Sequence, residues 1–429
     1  MKAVIRGTVQ ARGSAPAPPS KSYTHRAFVA AGLAEGSSVI RSYLVAEDTE
    51  ATIQGMRSFG AGIEEFEGFA RVKGTGGKLT TPVRAIDCRN SGTTLRLLTG
   101  VASLDGVAVL TGDASLRRRP VQPLLDALHM LGVRAESIPA NGCPPVRVRG
   151  STLRGGVARI RGDVSSQFIS ALLMVAPYAE SDVEVVLTSP LKSRPYVDLT
   201  VDVMRSFGAE VENHDYRAFR VTSGKGYRGR SYTVEGDYSS ASYFLALAAL
   251  TGGEVTVENL NPGSKQGDRA ILDILRSFGA VVESGKGQII VRGDTMRGVE
   301  LDLGDTPDLL PTVTALAVKA RGTTVIKNVE HARYKESDRI STCAREFAKF
   351  GAGIEERSDG LVIKGATELR GAEVHTHGDH RLAMALSIAA LAARGRSVVH
   401  DAQCASVSFP GFFEVLAGLV PEGSVVLVE

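Results

Sequence analysis

The chain is 429 residues long, 43% hydrophobic and 23% charged, which excludes a disordered polymer and leaves room for two or more folded domains. A formal net charge of +3 is too small for a nucleic-acid surface or an anionic membrane surface, and no apolar run reaches the roughly 20 residues of a membrane span. Cys88, Cys143, Cys343 and Cys404 form no C-x-x-C pair and the N-terminus lacks an apolar leader, so reduced thiols and a cytoplasmic protein are expected.

One phrase recurs along the chain: MRSFGAGI from Met56, LHMLGVRA from Leu128, MRSFGAEV from Met204, LRSFGAVV from Leu275 and FAKFGAGI from Phe347. Its glycines, Gly60, Gly132, Gly208, Gly279 and Gly351, fall roughly 70 residues apart, and a degenerate sixth copy places Gly418. The pattern predicts a helix closed by a left-handed glycine and then a strand. A second strand follows most copies, as in ARVKG, VRVRG and IIVRG. A second, almost wholly apolar helix also recurs and opens on Ser, Asn, Asp or Gly, the residues that cap exposed N–H groups. Its apolar body predicts burial. The chain therefore reads as six similar units, three on each side of about residue 230, and two similar α/β domains. A solenoid would need shorter repeats.

The polar decoration sits at these helix starts. In PSKSYTHR, Lys21 and Ser22 stand at a helix N-terminus with Arg26 one turn on, a set suited to phosphate or carboxylate. In RNSGTTLR, Asn90 precedes Gly92, whose missing side chain would let a ligand approach the backbone. Arg117, Arg118 and Arg119 precede Pro120, read here as a helix start, and Arg119 could clamp a carboxylate. Ser165, Ser166 and Gln167 are three neutral donors at the next start, and Ser193 and Tyr196 in SRPY add a hydroxyl and a ring. In DTPDLLPT, Asp305 suits a cap and Asp308 a catalytic carboxylate. In YKESDR, Lys335 and Arg339 read as i, i+4 cations that repel unless an anion lies between them, with Glu336 beside them. The run His375–Arg381 ends in His380 and Arg381 at the last buried helix; its H-x-H-x-D-H spacing also matches a zinc pattern, but the repeat assigns it to a helix cap. Each segment alone also reads as an ordinary cap or a solvated charged turn.

Taken together, in this order, PSKSYTHRA, RNSGTTLR, LTGDASLRRRP, DVSSQF, SRPY, TPDLLPT, YKESDRI and GDHRLAMA resemble the 3-phosphoshikimate 1-carboxyvinyltransferase (EPSP synthase) family over nearly the whole chain. The resemblance implies a two-domain inside-out α/β barrel of βαβαββ repeats, three per domain. Residues 1–13 and 235–429 would form one domain and 14–234 the other, with crossings near 14–20 and 227–235. It implies transfer of the enolpyruvyl group of phosphoenolpyruvate to the 5-hydroxyl of shikimate 3-phosphate, within chorismate and aromatic amino acid biosynthesis. A monomer is implied, with no metal, organic cofactor, nucleic acid or membrane.

By the same resemblance Lys21, Ser22, Arg26, Ser165, Ser166, Gln167, Ser193, Tyr196, Asp308 and Lys335 would bind shikimate 3-phosphate. Lys21, Asn90, Gly92, Arg119, Gln167, Arg339, His380 and Arg381 would bind phosphoenolpyruvate, and Asp308, Glu336 and Lys21 would be catalytic. The two substrates carry about five to six negative charges. Lys21, Arg26, Arg119, Lys335, Arg339 and Arg381 offset them. Those cations would depress the pKa of Asp308 while desolvation would raise it.

Two positions depart from the family pattern: Val407 stands where many bacterial members have lysine, and His331 where many have asparagine. Gly92 is unsubstituted, so the inhibitor glyphosate is expected to compete with phosphoenolpyruvate. The competing readings are a UDP-N-acetylglucosamine 1-carboxyvinyltransferase, which would carry a reactive cysteine within Thr111–Pro120, and a non-catalytic phosphate-ligand binding protein.

Overall fold

A computed structural model describes residues 1–285 and 287–429. In it the five glycines of the recurring phrase take positive φ: Gly60 at 98°, Gly132 at 90°, Gly208 at 95°, Gly279 at 110° and Gly351 at 101°. A side chain is disfavoured there, which is why glycine recurs. The next residue folds back on the helix, as when the Ala61 N–H donates to the Met56 carbonyl oxygen at 3.1 Å. Gly418 differs from the expected sixth copy. It ends the helix Phe412–Gly418 inside the last turn, and Leu419 at φ −96° follows.

The described residues form six four-stranded sheets. In Ser231–Thr233, Ser37–Arg41, Phe69–Lys73 and Gly62–Phe66 the first pair is parallel and the rest are antiparallel. The other five sheets repeat this scheme, including Glu300–Asp302, Thr323–Lys327, Gly360–Lys364 and Gly353–Arg357. The alternation is visible within Ser37–Arg41, where Ser38 and Ile40 are buried and Ser37 and Arg41 exposed.

The chain divides into two units by internal contacts: Met1–Pro18 with Gly236–Glu429, and Pro19–Glu235. The first unit takes two strands from the N-terminal segment. Lys2–Arg6 pairs with Arg396–His400 and Val425–Val428, and Arg12–Pro16 runs parallel to Glu254–Glu258. Residues 14–16, expected in a crossing, are thus strand. In the sixth sheet Lys2–Arg6 supplies the strand that a second hairpin arm supplies elsewhere.

Three nearly fully buried helices fill each unit: Lys21–Leu33, Gly92–Val101 and Ser166–Val175 in one, and Tyr238–Thr251, Leu310–Lys319 and His380–Ala392 in the other. Their apolar side chains belong to one core per unit. A buried residue such as Phe28, Leu98 or Leu386 contributes about 1.5–3 kcal/mol by leaving water. Buried hydroxyls fix how helices meet: Thr52 and Thr94 hydroxyls lie 2.7 Å apart, as do His25 Nδ1 and Thr52 Oγ1. At the N-terminus of each buried helix the first N–H groups have no partner within the helix and carry partial positive charge. Side chains cap five of the six: Ser20, Ser91, Ser165, Asp237 and Asp379. The helix Leu310–Lys319 has no side-chain cap because the turn Pro307–Leu309 runs directly into it.

Candidate active site

In the unit Pro19–Glu235, Lys21, Ser22, Gly92, Ser165, Ser166 and Gln167 stand at the N-termini of its buried helices. Ser20 accepts from the Tyr23 N–H, which leaves Lys21 as the first helical residue, paired to Asp48 at 3.0 Å. Arg26, one turn on, is 1% exposed. Its Nε donates to Thr200 Oγ1 at 2.6 Å and its Nη1 to the Ser22 carbonyl oxygen at 2.9 Å, with Ser170 Oγ and the Tyr196 carbonyl oxygen beyond. These neutral oxygens compensate a buried cation poorly, and burial pushes its pKa down to about 10.

Asn90 donates to Asp113 and accepts from Arg119. Arg119 is the residue after the turn Leu116–Arg118, and the helix beyond it starts at Gln122 rather than at Pro120. Proline suits a first turn, and Pro123 rather than Pro120 fills that place. Gly92 opens the helix Gly92–Val101. A β-carbon there would sit 2.6 Å from Arg96 Nη1 and 3.2 Å from Arg119 Nη1. The space that glycine leaves is thus taken by two guanidinium groups. Arg96 in turn donates to Gln167 Oε1 at 2.6 Å, and Gln167 Nε2 donates to Thr93 Oγ1 at 2.9 Å. Ser165 caps the helix that Ser166 begins, accepting from the Gln167 N–H at 3.3 Å. Ser193 takes a left-handed conformation, φ 55°, before the helix Arg194–Ser206 that carries Tyr196.

In the other unit the predicted residues form an ion network. Asp308 Oδ1 lies 2.8 Å from Arg339 Nη1 and 3.4 Å from Lys335 Nζ, and its Oδ2 lies 2.7 Å from Arg381 Nη2. Glu336 Oε2 lies 2.5 Å from Arg339 Nη2. Asp379, fully buried, meets Arg339 Nε at 2.8 Å, accepts from Ser337 Oγ at 3.0 Å and caps the last buried helix through the Arg381 N–H. Burial raises the Asp379 pKa, but the charge and hydrogen bonds of Arg339 bring it below the ordinary value. Arg339 is raised: burial lowers it, and the Asp379, Glu336 and Asp308 charges more than restore it. Lys335 is lowered, by burial first. His380 and Arg381 are the first two residues of the helix His380–Ala392.

Two local expectations change here. Lys335 and Arg339 are not on one helix: Lys335 follows the turn Glu330–Tyr334, and Arg339 starts the helix Arg339–Ala348 after Asp338 caps it. The anion between the two cations is the protein's own Asp308. Asp305 is not a cap; Thr306 stands at the N-cap position and its side chain caps nothing. The run His375–Arg381 also splits apart. His375 stacks on His400 at 4.4 Å, His377 Nε2 lies 2.8 Å from Glu346, and Asp379 turns to Arg339.

Sequence reasoning did not select Asp48, Arg96, Asp113 or Asp379 as site residues. Arg96 was findable, since a residue four beyond Gly92 shares its helix face. Asp48 and Asp113 lie outside the repeated helix starts, and only folding brings them to Lys21 and Asn90.

The model of the EPSP synthase family, 3-phosphoshikimate 1-carboxyvinyltransferase, matches residues 5–416. Proteins named 3-phosphoshikimate 1-carboxyvinyltransferase are similar along their length. The one from Methanothermobacter thermautotrophicus is 52% identical over 94% of this chain and 94% of its own. Those from Methanocaldococcus jannaschii, 97% of each chain, and Halobacterium salinarum, 95% and 96%, are 45% and 49% identical. The solved EPSP synthase of Acinetobacter baumannii superposes with a TM-score of 0.83 over 98% of each chain at 29% identity. With a family match across nearly the full chain and the same fold throughout, the chain belongs to the EPSP synthase family.

Proposed function

We propose that this enzyme transfers the carboxyvinyl group of phosphoenolpyruvate to the 5-hydroxyl of shikimate 3-phosphate, releasing phosphate and 5-enolpyruvylshikimate 3-phosphate. The observation that carries this reading is Asp308, a carboxylate held by Arg339, Arg381 and Lys335 at the N-terminal end of two buried helices. A base and an anion clamp share one set of contacts.

The roles follow from the chemistry of each group. Asp308 takes the proton of the 5-hydroxyl as that oxygen bonds to C2 of phosphoenolpyruvate. Glu336 gives a proton to the methylene carbon, which completes a tetrahedral adduct. Phosphate then leaves C2 with the proton that Asp308 took up, and the methyl carbon returns a proton to Glu336, which restores the double bond. Lys21, Asn90, Gly92, Arg119, Gln167, Arg339, His380 and Arg381 bind the donor. Donor oxygens reaching Arg339 and Arg381 compete with Asp308 for them, so donor binding loosens the base. Ser22, Arg26, Ser165, Ser166, Gln167, Ser193, Tyr196 and Lys335, with Lys21, bind the acceptor. Arg26 acts from beneath, fixing Ser22 and Tyr196 through their carbonyl oxygens. We also read the protein as a cytoplasmic monomer that needs no metal or organic cofactor; among the described residues no helix is long and apolar enough to cross a membrane.

The direct test is phosphate release. Purified protein is expected to release phosphate from phosphoenolpyruvate only when shikimate 3-phosphate is present, and equal release with UDP-N-acetylglucosamine would overturn the reading.

Gly92→Ala gives a second expected outcome. Its β-carbon must displace Arg96 and crowd Arg119, since the nearest atoms lie at 2.6 and 3.2 Å. Crowding Arg119, and shifting the Arg96 that holds Gln167, raises the phosphoenolpyruvate KM about ten-fold, with a smaller change for shikimate 3-phosphate. Steady-state kinetics with each substrate varied in turn separates the two.

A further inference from the structure

A second carboxyl group stands behind Asp308. Asp268 lies on the turn Gly267–Ala270 and is 2% exposed. Its Oδ2 accepts from the hydroxyl of Ser239, at the start of the buried helix Tyr238–Thr251. Its Oδ1 is buried and, among the described residues, meets no hydrogen-bond donor. An ionised carboxylate with one bare oxygen is costly in such a place.

The groups facing it come from three other elements. Asp308 lies on the turn Pro307–Leu309, Arg381 on the helix His380–Ala392, and Asp237 and Ser239 at the start of Tyr238–Thr251. Asp308 and Asp237 repel its charge, and Arg381 and the Ser239 hydroxyl favour it. On its own segment Lys265 is exposed, and Arg269 turns away to the Pro262 carbonyl oxygen at 3.0 Å. Gln266, two residues earlier, locks the turn in place: its Oε1 accepts from the Tyr238 N–H at 3.0 Å and its Nε2 donates to the Gly236 carbonyl oxygen at 2.8 Å. The turn is therefore built to hold one acid against the ion network, and the transfer chemistry above makes no use of it.

We propose that Asp268 is a positioning residue that sets the basicity of Asp308, acting through the Arg381 guanidinium that both carboxyl groups face. This rests on Asp308 being the base of the proposed reaction. When Asp268 is ionised, it draws on Arg381 and repels the charge on Asp308, so Asp308 accepts the hydroxyl proton more readily. When Asp268 is protonated, Arg381 belongs to Asp308 alone and the base is weaker. Burial, then the Asp308 charge, push the Asp268 pKa up to about 7, so the change falls in the neutral range. No proton passes between Asp268 and substrate; the effect is electrostatic.

The test compares the wild type with Asp268→Asn and Ser239→Ala, on the full chain with both substrates. In the wild type kcat is expected to rise through an ionisation near pH 7. Asp268→Asn loses that limb and stays on the lower plateau, about ten-fold below wild type at pH 8, with each KM within about three-fold. Ser239→Ala removes a bond that favours the ionised form, so its midpoint moves to higher pH. A wild-type limb and kcat in Asp268→Asn overturns the proposal. Where Asp268→Asn does not fold, an unshifted midpoint in Ser239→Ala does the same. Carboxyl-carbon NMR of aspartate-labelled protein reads the acid without turnover: a signal titrating near pH 7 should vanish in Asp268→Asn. Its absence from the wild type overturns the electrostatic arrangement, whichever substrate pair the enzyme turns over.

Discussion

Asp308→Asn is expected to lower kcat by about two to four orders of magnitude while binding of shikimate 3-phosphate changes little. The substitution keeps the shape and removes only the ability to take a proton. Two of the contacts on Asp308 are charge-assisted hydrogen bonds, from Arg339 at 2.8 Å and from Arg381 at 2.7 Å. An amide can still accept one of them, so Arg339 and Arg381 remain near their places. Glu336→Gln belongs with it, since the amide cannot protonate the methylene carbon. Rapid-quench measurement of the first turnover, beside a binding titration with shikimate 3-phosphate, reads chemistry and affinity separately. Near-normal turnover in both variants would remove the two residues from the roles given to them.

Arg339→Met is expected to act on the fold as well as on the chemistry, destabilising the protein by about 3–5 kcal/mol. Arg339 is 1% exposed and holds Asp379, itself fully buried, together with Asp308 and Glu336. Methionine fills the volume but leaves those carboxylates uncompensated, and the uncompensated charges dominate the loss. The pH dependence gives the sign. The Asp379 pKa is lowered in the folded protein, so its contribution to stability is present above the ordinary carboxylate value, about 3.9. It fades as pH falls through the lower folded value. Denaturant midpoints should therefore differ most between wild type and Arg339→Met at neutral pH and converge in acid. Equal midpoints across the range would show that the network adds nothing to stability.

Much of this molecule is written locally. A helix that must end and turn back needs a left-handed residue, and Gly60, Gly132, Gly208, Gly279 and Gly351 announce it. Helices buried all round must be apolar all round, and their caps must be small and polar, so the starts at Ser20, Ser91, Ser165 and Asp379 stand out. The repeat made those starts comparable, and the family motifs then named their residues. Where local rules mislead, the cause is a neighbour remote in sequence. Gly418 needs no left-handed turn because a longer connection, residues 419–424, leads from the helix Phe412–Gly418 to the strand Val425–Val428. Lys335 and Arg339 have the spacing of helix neighbours, but the chain breaks between them so that both can reach Asp308.

The repeating element, the positions of the caps and the residue types available for anion binding and proton transfer can be read from the order of the amino acids. These follow from backbone hydrogen bonding and from the burial of apolar side chains, which act over a few residues. Which charges meet is set by packing. It put Asp48 on Lys21, filled the space at Gly92 with the guanidinium groups of Arg96 and Arg119, and gave Asp308 to Arg339 and Arg381. It also set Asp268 behind them, an acid that no motif marks. Ion pairs and desolvation depend on distance and dielectric surroundings, and both are fixed only when remote segments pack together.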